Sequence, residues 1–163
     1  MQPSFSSRHS TAISASPERC YQCLWEIDIG RGAAVRLLLW ARGLRHLRTL
    51  NSMVRAGFMV LRDDAPTDIV LGLVGQPWRP SGGLQRLSPA EFVNFDEPGF
   101  VKVVWSFTFD ATPTGTSVST STEIYATDER ARRSFGRYWW FVRPFSGALR
   151  RSMLRSIRTC AEG

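Results

Sequence analysis

Residues 137–151 read RYWWFVRPFSGALRR. Aromatic side chains crowd the first half, a proline and a glycine follow, and arginines stand at both ends. A stretch of this kind suits a membrane surface, a nucleic-acid clamp or the wall of a buried space, and the residues on either side decide among them. At helical spacing, Ala131, Phe135, Tyr138, Trp139 and Val142 share one side, and Phe145, Leu149, Met153 and Ile157 carry the stripe past Pro144. Arg151, Arg155 and Arg158 fall on a different flank, and together with Arg150 they read as positive charges that complement the helix dipole in its last turns or form a solvated face. A helix with one apolar side must lay it against another layer. Asp128 is its predicted N-cap, and Pro144, which has no amide hydrogen to donate, predicts a kink or a restart.

Working outward, the preceding residues supply that second layer. In SVSTSTEIYAT the alternation sets Val118, Thr120, Thr122, Ile124 and Ala126 on one face of a strand and Ser119, Ser121, Glu123 and Tyr125 on the other. Thr114-Gly115 turns the chain back into an earlier strand over 100–109, where Val101, Val103, Trp105, Phe107 and Phe109 share a face. Lys102, Ser106 and Thr108 take its other face, with Val104 the exception. Before it, Ser88-Pro89-Ala90-Glu91 is a capping box with proline in the first helical position, predicting a short helix through Phe95. The segment GFMVLRDDAPTDIVLGLVG has two apolar runs about an Asp-Asp-Ala-Pro turn and predicts an antiparallel hairpin.

Near the N-terminus, residues 5–14 alternate as a strand, and Ser16-Pro17-Glu18 opens a helix carrying Cys20, Leu24 and Ile27. A second helix is expected in AAVRLLLWARGL, with Val35, Leu38, Leu39 and Arg42 at helical spacing and Gly43 as its stop.

Composition bounds the function. At 163 residues the chain is long enough to bury a core as one domain, with residues 1–4 expected as a flexible tail. The net charge of +7 would suit an anionic partner, but Lys102 is the only lysine, and so strong a preference for arginine can follow genomic base composition. The basic and aromatic sides of the last helix separate, whereas single-strand clamps interleave them, so no nucleic-acid partner is expected. Trp140 and Phe141 stray from the stripe and leave room for membrane contact or a homodimer interface. The N-terminus lacks a basic segment before an apolar core, and the apolar run 69–78 is far short of the roughly 20 residues of a spanning helix. Three cysteines without framework spacing fit a reducing compartment, and a cytoplasmic protein is the expectation.

The order strand, two helices, antiparallel strands and one long helix, together with ISASPERCYQCLWEID, VGQPW, EPGFVKVVWSFTF and the block from TSTEIYATDER to the C-terminus, resembles the START-like or SRPBCC superfamily. The resemblance implies an α+β helix-grip fold over residues 1–163: a curved antiparallel sheet wrapped around a long C-terminal helix kinked near Pro144, with two short helices after the first strand. It also implies a cavity between sheet and helix for a small hydrophobic, lipid- or polyketide-like molecule. The alternative it carries is an aromatase/cyclase-type enzyme. Wall residues are then those placed inward, namely Val103, Trp105, Phe107, Thr120, Thr122, Phe135, Trp139, Leu149 and Met153, with the two threonine hydroxyls orienting the ligand. Packing of a closed core explains the same aromatics. Trp78-Arg79-Pro80 can guard the cavity mouth, the guanidinium meeting an anionic head, or simply anchor a loop.

No catalytic constellation stands out. Cys20-Tyr21-Gln22-Cys23 has redox spacing, but Cys20 lies a full turn inside its helix, and a second pair for structural zinc is missing, so buried structural cysteines are expected. Cys160 reads as packing or near-terminal surface. His9 and His46 have no acid or nucleophile nearby in sequence and read as surface or satisfied histidines. Asp63-Asp64 and Asp96-Glu97 have the composition of turns. No metal and no cofactor is expected.

Overall fold

The computed structural model describes residues 2–41 and 44–163. It is an α+β helix-grip arrangement. Strands β1 (Phe5–Ile13), β2 (Met59–Asp64), β3 (Asp68–Gly75), β4 (Val101–Thr112) and β5 (Gly115–Ala126) form one sheet in the order β1-β5-β4-β3-β2. Every pairing is antiparallel. Helices α1 (Pro17–Glu26), α2 (Ala33–Ala41) and α3 (Leu50–Ala56) follow β1, α4 (Pro89–Asn94) precedes β4, and α5 (Glu129–Glu162) runs to the C-terminus. None of the described helices is long and apolar enough to cross a membrane.

The predicted caps are made. Ser16 accepts from the Arg19 amide, Ser88 and Glu91 form a reciprocal box, and Asp128 accepts from the Ala131 amide at 2.7 Å. Two expectations need correction. Three helices, not two, follow the first strand: α3 is capped by Thr49, whose hydroxyl accepts from the Ser52 amide while Ser52 returns the bond, and it stops at Gly57 with φ 138°. Seven residues with polar Asn51, Ser52 and Arg55 between Leu50, Met53 and Val54 make too short a period to read. Nor does the last helix restart at Pro144, because α5 is continuous from end to end with the proline inside it. The missing amide orphans the carbonyl of Trp140, an exposed residue, where water can replace the lost bond. The predicted stop at Gly43, with Arg42, lies outside the described residues. Ser4, within the expected tail, donates its amide to the Ile124 carbonyl at 2.7 Å.

Alternation in β4 sorts the core. Trp105, Phe107 and Phe109 pack with Ile69, Leu71, Val118, the α1 residues Cys20, Cys23 and Leu24, and the α5 residues Met153, Leu154 and Ile157. Val104, the odd apolar residue, faces the opposite side and joins Met59, Val74 and Phe92 beneath α4. A third cluster gathers Val101, Ile124 and Phe135 with Phe5, Trp78, Val103, Tyr138 and Trp139.

The cysteines depart from expectation. Cys20 is a buried free thiol, but Cys23 is joined to Cys160 by a disulfide with Cα atoms 5.9 Å apart. The partners are 137 residues apart, so only the docking of α1 against α5 reveals the pair.

Candidate functional site

Helix α5 is anchored by buried residues at its two ends and is half-buried or exposed in its middle. Ala131 and Phe135 are buried near its start, and Arg150, Met153, Leu154, Ser156 and Ile157 near its end, but none of residues 136–149 is. The sequence explains this: after Trp139 the helix turns Arg143, Gly147, Arg150 and Arg151 toward β1, at spacings of four, eight, eleven and twelve residues. Opposite them, β1 alternates Ser7 and His9 inward, residues too small or too polar to fill the gap. The result is a cleft of about 550 Å³ lined by Ser6 to His9 on the strand and by Trp139, Arg143, Pro144, Gly147, Arg150 and Arg151 on the helix. Ligand sites commonly span roughly 300–1,000 Å³.

Its electrostatics are one-sided. Arg150 is only 5% exposed, and its Nη1 donates to the Ser7 hydroxyl. No carboxylate pairs with it among the described residues. Burial pulls its pKa down to about 10, which leaves it charged at neutral pH. His9 has a buried Nδ1 without a hydrogen-bond partner. Burial, then Arg150, then Arg151 push its pKa below the ordinary value, so the imidazole is held neutral. A Cβ on Gly147 would lie 3.8 Å from His9 Nε2 and 3.7 Å from Arg151 Nη1, so glycine there keeps the cleft floor free of atoms.

At its aromatic end, Trp139 stacks on Phe135 with centroids 5.8 Å apart and meets Phe5 at 6.4 Å. That end offers an apolar platform beside a cationic one.

The residues expected to line a cavity divide among three places. Trp105, Phe107 and Met153 are buried in the main core, with Leu149 against it. Trp78, Val103, Phe135 and Trp139 meet in the cluster at the start of α5. Thr120 and Thr122 are both buried, and Thr120 accepts a hydrogen bond from Trp105 Nε1 at 2.9 Å. Arg79 is exposed. Among the described residues, Trp139 alone of this set lines the cleft.

Ser7, His9, Gly147 and Arg150 were not read as site residues. The signal that could have found Arg150 is its place between Leu149 and Met153, inside a stripe otherwise directed at the sheet.

A second cleft, about 480 Å³, lies between α2 and the loop after it, lined by Arg36, Leu37, Trp40, Arg45 and Arg48 among others. There the strongest polar contact is satisfied internally: Arg48 pairs with Asp28, whose carboxyl that guanidinium holds below its usual range.

No protein-family model and no curated protein matches the chain. Among solved structures it is similar to protein MLL2253 from Mesorhizobium loti, with 13% identity over 97% of each chain and a TM-score of 0.49. It is also similar to the di-domain ARO/CYC StfQ from the steffimycin biosynthetic pathway, with 12% identity, a TM-score of 0.40 and coverage of 96% of this chain but 50% of that one. Protein CV1439 from Chromobacterium violaceum follows at 13% identity, 97% and 98% coverage and a TM-score of 0.36. At these values none of the three bears on what this chain binds.

Proposed function

We propose that this chain binds a small, largely hydrophobic molecule, lipid- or polyketide-like, in the cleft between β1 and the middle of α5. The observation that carries the reading is the unburied stretch 136–149, which stands over β1 and bounds about 550 Å³ while both ends of the same helix are fixed in the core. Apolar surface of the ligand would lie against Trp139 and Pro144, and its transfer from water would supply most of the affinity, at about 25 cal/mol per Å² removed. The resemblance to START-like proteins supports the same side of the sheet.

Filling the cleft tests this. Gly147→Leu puts a branched side chain between His9 and Arg151. Uptake of an environment-sensitive apolar fluorophore is expected to fall at least about tenfold in this variant, a loss of ~1.4 kcal/mol, with the far-UV spectrum unchanged. Undiminished uptake in the folded variant would remove the cleft from consideration.

A further inference from the structure

Building on the binding reading just given, we infer that the inner end of the β1–α5 cleft is a site for a single carboxylate, the head group of an amphipathic ligand, with Arg150 as its counter-charge. A guanidinium carries five N–H donors in one plane and cannot shed its charge at physiological pH. Arg150 is 5% exposed yet spends one of those donors on Ser7 and meets no acidic partner among the described residues. Burying an uncompensated charge is costly, and proteins normally place a carboxylate beside it. The neighbours here only deepen the deficit, since Arg8, Arg143 and Arg151 line the same cleft and no acid does.

The geometry selects the type of anion. Arg8, Arg143 and Arg151 are exposed, so water and counter-ions already screen them, which leaves one desolvated positive charge to be neutralised by one negative charge. The planar fork of a guanidinium matches the two oxygens of a carboxylate. Ser7, whose oxygen accepts from Arg150, keeps its own hydrogen to donate to the same anion. The head would then sit between β1 and Arg150, and a hydrocarbon tail would run toward Pro144 and Trp139 along the helix.

Titration calorimetry with decanoate, decanamide and decyl phosphate tests the assignment on the whole chain. Decanoate is expected to bind at least about tenfold more tightly than decanamide, the scale of a charge-assisted hydrogen bond. Arg150→Gln should weaken decanoate far more than decanamide, bringing the two to the same level. Should that variant fail to fold, the unmodified protein still decides: a preference owed to buried Arg150 persists on raising salt from low to roughly physiological strength, whereas one owed to the exposed arginines collapses. Equal binding of acid and amide, a preference that survives in Arg150→Gln, or one that salt abolishes would overturn the role of Arg150. Tighter binding of decyl phosphate would overturn the choice of a carboxylate. Failure of all three ligands to bind would sink the cleft reading itself and this inference with it, whereas equal binding of acid and amide sinks the head group alone.

Discussion

The C-terminal third of α5 and its middle are built from the same helix and face the same sheet, yet they do opposite things. Met153, Leu154 and Ile157 are buried among Leu24, Leu71 and Phe107, and the Cys23–Cys160 disulfide fastens the end to α1. From Gly136 to Leu149 nothing is buried, and the strand opposite presents Ser7 and His9 in place of large apolar side chains. The difference shows how a fold can leave a cleft: anchoring a long helix at both ends lets its centre stay only partly buried without loss of the whole element. Stability sits at the ends, and the proposed ligand chemistry in the middle.

Paired substitutions probe the contrast most strongly. Ile157 is fully buried and Phe141 is 69% exposed. Ile157→Ala should cost about 2–5 kcal/mol of unfolding free energy in urea titration, and Phe141→Ala no more than about 0.5 kcal/mol. Comparable losses in the two would mean that the middle of α5 is packed after all and that the division proposed here does not exist.

How far this is legible in the sequence depends on the range of the interactions. Caps, turns and alternation are local, so Ser16, Ser88, Asp128 and the inward face of β4 were legible directly. Val104, out of phase in its strand, was legible as an exception but not as a contact, because α4 folds over the far face of the sheet to meet it. The disulfide and the cleft depend on where α5 lies, and nothing near Cys23, His9 or Arg150 in sequence reports that. Arg150 shows the limit best. Charged residues on a helix generally face water, so a run of arginines read as a solvated flank, and only the proximity of Ser7, 143 residues away, reveals that one member points inward.

A smaller effect should come from His9, which faces Arg150 and Arg151 across the cleft and pairs in register with uncharged Thr120. Its folded pKa lies below the ordinary 6.5, so the unfolded chain binds more protons over that interval. The stabilising contribution of neutral His9 is therefore complete above pH 6.5 and is lost as pH falls from there through the lowered folded value. NMR titration of the His9 imidazole should give a midpoint below 6.5, and His9→Gln should flatten the decline of stability in that window. A midpoint at or above the ordinary value would show that the imidazole does not feel the buried guanidinium, and the cleft would be wetter than described.

Chemical-shift mapping by amide NMR during titration with decanoate tests the central claim most directly. The account predicts perturbations concentrated at Ser6 to His9 and from Trp139 to Arg151, with Met153 to Ile157 largely unmoved. Shifts centred instead on the α2 cleft around Leu37 and Trp40, or spread through the packed core, would contradict it.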